Sequence, residues 1–305
     1  MAAALRERPA DSRIALVIEG GGMRGAVSGG MALGLDELGL AGAFDAAYGS
    51  SAGTLNAMWL VSGRLRDGIP TWTDPQLVGE LISRRRALAR RGPVVDVQGL
   101  VEERYERLSP GLFDAVLAGA TELHPIATDV ETAEAVDLHG AFGDPRTLRL
   151  ALRASAALPL LAGEPVVLDG RRYIDAGLSA AIPFRAALAD GATHVLVLRS
   201  RRAGELVSAP GRASGALTGR ALRRVSPALE AAFRTRAERE GADEAVLARH
   251  DADAALEPHI LSIRPAPGSP VPGRLERDMV TIRAGLEAGR AAVHDALGQL
   301  PKSVV

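Results

Sequence analysis

Ile14-Ala-Leu-Val-Ile-Glu19 followed by Gly20-Gly21-Gly22-Met23-Arg24-Gly25 is the stretch on which the fold turns. A brief apolar run with β-branched residues that stops at three consecutive glycines reads as a buried strand leaving its sheet. Ala26 to Leu38 (AVSGGMALGLDEL) then places small and apolar residues at helical spacing, with Gly39 as the stop. The pattern repeats at once. Phe44 to Tyr48 (FDAAY) is a second short strand cut off at Gly49, and Thr54 to Val61 (TLNAMWLV) is a second helix ended by Gly63.

Further along, two charged helical stretches are expected between Thr73 and Leu108, separated by Gly92-Pro93, and His124 to Val130 is another strand. Pro145 to Leu158 is helical and halted by Pro159, since proline cannot continue a helix. Arg172 leads as a short apolar segment into Asp175-Ala176-Gly177, and Thr193 to Arg199 (THVLVLR) is the clearest strand of the second half. His259 to Arg264 is a late strand, followed by a Pro/Gly linker and a final helix from about Leu275 to Leu297. Strands alternating with helices predict an α/β fold whose central sheet is mostly parallel. The expected organisation is a flexible N-terminal tail (1–12), a core (13–200) and a C-terminal part of the same domain (201–305). Residues 203–235 are a candidate cap, because 203–220 are rich in Gly, Ala and Ser and an Arg-rich helical stretch follows.

Composition removes several chemistries. With no cysteine there is no disulfide, thiolate metal site or cysteine nucleophile. A formal net charge of −1 gives no global field for nucleic acid, so no nucleic-acid partner is expected. No run of 18 apolar residues predicts a transmembrane segment, and the charged N-terminus lacks the apolar core of a secretory peptide. The expectation is a cytoplasmic protein whose cluster Arg84-Arg85-Arg86 and Arg90-Arg91 is a candidate contact with anionic headgroups, although charge runs on helices are more often solvated faces.

The sharpest chemical signal is Gly49-Ser50-Ser51-Ala52-Gly53, a G-x-S-x-G pattern between a strand and a helix. A nucleophile elbow needs that context: the serine sits on a strained turn with its hydroxyl projecting, and small neighbours let strand and helix approach. An attacking serine also needs donors for the oxyanion. Gly20, Gly21, Gly22, Met23, Arg24 and Gly25 can supply backbone N–H groups at the start of a helix, whose positive end points the same way. A base is the third requirement. None of His124, His139, His194, His250, His259 and His294 lies in a recognisable motif. Asp175, at the end of a short apolar segment, is better placed, yet on spacing alone it is more often an ordinary turn aspartate.

Gly20 to Gly25 also matches the G-x-G-x-x-G dinucleotide fingerprint, which would want an acid ending the next strand; here the strand runs into the serine elbow, with Asp45 at its start.

Taken together, GGGMRG, GSSAG, the block Ala154-Ser155-Ala156-Ala157-Leu158-Pro159 and the segment YIDAGLSAAIPFRAALADGATHVLVL resemble the patatin-like phospholipases over roughly residues 13 to 200. The resemblance implies a three-layer α/β/α fold, a Ser-Asp dyad of Ser51 and Asp175, an oxyanion hole in Gly20 to Gly25, and no metal or organic cofactor. This chain departs in having Ala176 before Gly177 where glycine is usual, and Ala181 where an asparagine often stands. The implied substrate is a lipid or other acyl ester. Three readings stay open: a phospholipase A or lysophospholipase type lipid hydrolase, a non-lipid carboxylesterase on the same scaffold, and a dinucleotide-binding or inactive module.

Overall fold

The computed structural model describes residues 1–205 and 211–298. Eight strands form one sheet: β1 (Ile14–Ile18), β2 (Ala46–Ser50), β3 (Glu122–Asp129), β4 (Ala135–Asp137), β5 (Val166–Leu168), β6 (Arg171–Asp175), β7 (His194–Leu198) and β8 (His259–Ile263). Their order is β5-β6-β3-β2-β1-β7-β8, with β4 paired to β3 off this path. The central pairs β3-β2, β2-β1, β1-β7 and β7-β8 are parallel, and the pairs among β3, β4, β5 and β6 are antiparallel.

β1 is buried along its whole length, which is why it is apolar on both faces rather than alternating. Ile14, Leu16 and Ile18 face one core with the longer helices α1 (Gly25–Glu37), α2 (Ala52–Val61) and α6 (Met279–Leu297). Ala15 and Val17 face the opposite core, with Phe184, Ala187 and Leu247. The third core lies under α3 (Pro145–Ala156), whose start is fixed by Asp144 accepting from the Arg146 and Thr147 amides with Pro145 in the first turn. Helices on both faces of a largely parallel sheet make the expected α/β/α layering.

Several boundaries differ from expectation. The second strand runs from Ala46 to Ser50, two residues later than FDAAY suggests, because Asp45 is spent on the strand entrance: its carboxylate accepts the Ile14 amide at 2.7 Å and pairs with Arg8. β4 and β5 were not foreseen; each is three residues long. Between Thr73 and Leu108 helix forms on both sides of Gly92-Pro93, as Pro75–Leu81 and Arg84–Leu88 before it and as one continuous run over 97–108 after it. The expected tail is partly ordered: Ala2–Arg6 is a short helix with Ala4 and Leu5 buried, because Leu5 enters the main core. Of the candidate cap, residues 206–210 lie outside the described residues; the rest gives α4 (Arg212–Val225) and the start of α5 (Pro227–Ala252). The final helix begins at Met279, capped by Asp278, not at Leu275.

The contact between α1 and α6 is made backbone to backbone. A Cβ on Gly30 would overlap the Leu286 carbonyl, and one on Gly289 would overlap the Val27 carbonyl. Gly30→Val is therefore expected to destabilise the protein by about 3 kcal/mol, as overpacking does where the neighbour is main chain. Urea unfolding measures this; an unchanged midpoint would show that the helices can part at no cost.

Candidate active site

β1 delivers the chain to Glu19, which is fully buried and accepts the Ser200 amide at 2.8 Å. Burial alone would raise its carboxyl, but Arg199, Arg201 and Arg24 outweigh this and hold it down at about 2. Ser200 in turn donates its hydroxyl to the Gly20 carbonyl at 3.0 Å, and the Gly20 amide donates to the Ala181 carbonyl at 3.1 Å. The glycine turn is thus pinned on both sides. The departure at Ala181 costs nothing to this contact, since the backbone makes it.

Within the turn the amides divide into two groups. Met23 donates to the Arg274 carbonyl at 3.0 Å, Arg24 to the Gly21 carbonyl at 3.3 Å, and Gly25 to the Gly22 and Met23 carbonyls. Only the amides of Gly21 and Gly22 have no acceptor among the described residues. Of the six residues expected to offer donors, these two keep an amide without an acceptor.

Ser51 stands between β2 and α2 with φ 55° and ψ −125°, a conformation that costs of order 1–3 kcal/mol and persists only where the surroundings enforce it. The enforcement is visible. Its amide donates to the Ser155 hydroxyl at 3.2 Å, which also bonds the Thr54 hydroxyl at 2.6 Å. Gly53 lies so close to β1 that a Cβ would overlap the Ile18 carbonyl. Ser155, the serine of the Ala154–Pro159 block, is therefore the prop of the elbow. Ser50 and Gly49 end β2 behind it, and Ala52 opens α2.

Asp175 ends β6, where the register opposes it to Ala127 of β3. Its amide donates to the Ala157 carbonyl at 3.0 Å, its carbonyl accepts from the Thr128 hydroxyl at 2.9 Å, and its Oδ1 accepts the Gly177 amide at 2.7 Å. Ala176 is fully buried in the second core, so the alanine that departs from the usual pattern is held by packing. Oδ2 is buried and has no hydrogen-bond partner among the described residues. Desolvation raises the carboxyl above the ordinary aspartate range, opposed by the nearby Ser51 hydroxyl, the Gly177 amide, Arg236 and Arg274.

Both groups open onto a cavity of about 1610 Å³. Its apolar wall includes Leu158, Leu160, Leu161, Leu178, Leu222 and Phe233, and α4 and α5 border it. No histidine lines it. His194 and His259 pair near the starts of β7 and β8, His124 stacks between Tyr48 and His139, and His294 pairs with Glu37. An imidazole base for Ser51 is not at hand.

Among the described residues, Glu122, His124 and Asp190 are the group whose ligand atoms converge closely enough for a metal. Arg13 pairs with both carboxylates and fills the place a cation would take. β2 ends in Ser50, where a dinucleotide site would want an acid, and Asp45 stands at the opposite end of the strand, held by the Ile14 amide. No described helix is long and apolar enough to cross a membrane. Of the arginine cluster, Arg86 is turned inward to the Glu80, Leu81, Pro93 and Val94 carbonyls, while Arg84, Arg85, Arg90 and Arg91 are exposed. Sequence reasoning missed Arg201, Arg236 and Arg274, which line the cavity from the C-terminal half; none sits in a motif, and Arg274 falls between the Pro/Gly linker and the expected final helix.

A family model described as patatin-like phospholipase matches residues 16–188, more than half of the chain. The chain is similar to a protein of Escherichia coli (strain K12) described as uncharacterized protein YjjU, with 31% identity over 199 residues, 62% of this chain and 52% of that protein. It spans about half the length of that relative. Among solved structures, VipD from Legionella pneumophila aligns over 94% of this chain and 67% of that one, with 13% identity and a TM-score of 0.48. On the match that runs from β1 through the elbow and Asp175 to the helix after it, the chain belongs to the patatin-like phospholipase family.

Proposed function

We propose that the protein is a serine acyl hydrolase acting on lipid esters, with Ser51 as nucleophile and Asp175 as its base. The observation that carries this reading is the meeting, on one cavity floor, of a serine held at positive φ and a buried carboxylate whose Oδ2 is otherwise unpartnered. Asp175 Oδ2 takes the Ser51 proton as Oγ attacks the ester carbonyl, and the Gly21 and Gly22 amides receive the oxyanion. The protonated Asp175 then gives its proton to the departing alcohol, leaving an acyl-serine. Water, deprotonated by the same carboxylate, releases the acid. The leucine-rich wall suits an acyl chain, which favours a lipid over a small polar ester.

The test is covalent. A fluorophosphonate probe should add once to the wild type by intact mass and not at all to Ser51→Ala; a folded wild type that stays unlabelled would remove the reading.

A further inference from the structure

Ser51 and Asp175 occupy only the floor of the cavity, and the charge around them is lopsided. Eight arginines and four carboxylates line it. Glu240, which is buried, is shared between Arg201 at 2.9 Å and Arg236 at 2.6 Å. Glu230 is shared between Arg234 at 2.7 Å and Arg223 at 3.8 Å. Arg24 and Arg274 pair with no carboxylate among the described residues, and Arg24 Nε is buried with no hydrogen-bond partner. Arg274 keeps access to solvent inside the cavity, and its carbonyl is tied to the glycine turn through the Met23 amide. Burial, then the crowding of Arg236, Arg24 and Arg201, brings its guanidinium down to about 10, so it is still charged at neutral pH. Such a cluster is costly to hold together without an anion.

We propose that Arg274, Arg236 and Arg24 form a subsite for a terminal phosphate monoester on the ester substrate, so that acylglycerol phosphates are preferred to neutral acylglycerols and to choline-bearing lipids. The proposal rests on the acyl-hydrolase reading for the reacting ester. A phosphate monoester carries close to two negative charges near neutral pH and offers three acceptor oxygens, which suits several guanidinium forks at once. For a quaternary ammonium the same lining offers further guanidiniums, Arg220, Arg223 and Arg224, and Phe233 as the single aromatic among the described lining residues, hence no aromatic cage. Arg236 and Arg274 both lie beyond residues 16–188, so the preference belongs to this chain's own C-terminal half.

Two readouts decide it. The first is kcat/KM for a short-chain monoacylglycerol phosphate against the monoacylglycerol and the matching lysophosphatidylcholine, on wild type, Arg274→Gln and, as a second variant, Arg236→Gln. The second is calorimetric titration of the same proteins with glycerol 3-phosphate and with inorganic phosphate. The wild type should favour the acylglycerol phosphate by about tenfold or more, either substitution should cut that ratio by about tenfold, and glycerol 3-phosphate binding should weaken in parallel. Equal turnover of the three esters with a ratio that neither variant moves would overturn the subsite and leave the hydrolase reading standing. Inorganic phosphate bound as tightly as glycerol 3-phosphate, with no substrate preference, would mean a free-anion site and also overturn it. Arginine-dependent glycerol 3-phosphate binding in a protein that hydrolyses nothing would support the subsite while sinking the hydrolase reading.

Discussion

Ser51→Ala is expected to lower ester turnover by about 10⁴-fold or more, because removal of an attacking oxygen leaves only the binding and oxyanion contributions. The fold should survive. Alanine replaces serine at the same strained φ, and the amide that holds the turn can still donate to Ser155. Thermal unfolding followed by circular dichroism should place the variant within a few degrees of wild type, so lost turnover reports chemistry and not collapse. Turnover within tenfold of wild type in a purified, folded variant would transfer the nucleophile's role to another residue.

Asp175→Asn should be nearly as damaging, about 10³- to 10⁴-fold, since the amide keeps the acceptor for Gly177 but cannot take a proton. Two accompanying effects have opposite signs. Because burial raises the carboxyl, wild-type kcat/KM should fall on acidification through an apparent pKa above the ordinary aspartate range, Asp175 being active only when ionised. Stability runs the other way. A carboxyl with a raised folded-state pKa binds its proton more tightly folded than unfolded, so wild type loses stability as pH rises from the unfolded pKa to the folded one. The asparagine side chain does not titrate, so the variant's Tm should exceed wild type at neutral pH and converge with it in acid. A neutral-pH Tm below wild type would mean that the ionised carboxylate is stabilised by its surroundings.

The first half of the fold is legible because its signals are dense. Ile14 to Ile18 is apolar on both faces, and the glycines that follow β1 and flank Ser51 stand where strand, turn and helix backbones touch. Asp175 was legible only as one acceptable aspartate among others; its burial and its unpartnered Oδ2 depend on β3 and the Ala157 carbonyl, which no local pattern encodes. β4 and β5 escaped notice because three residues cannot show a period. Arg236 and Arg274 escaped for a different reason: one sits on a charged helix and the other between the Pro/Gly linker and the expected final helix, and only tertiary packing turns both toward the cavity.

The seating of α1 on α6 has a bearing on what may be called the unit of function. α1 begins at the glycine turn, the Met23 amide is held by the carbonyl of Arg274, and Gly30 rests on the Leu286 carbonyl. The turn's shape is thereby written in two places separated by about 250 positions of chain. A boundary drawn where the family match stops, at residue 188, would keep GGGMRG, GSSAG and Asp175-Ala176-Gly177 and discard half of the mould in which the glycine turn is cast. Presence of the motif and integrity of the turn are different quantities here, since the last helix and the segment before it touch the turn and the helix it opens from outside the matched residues.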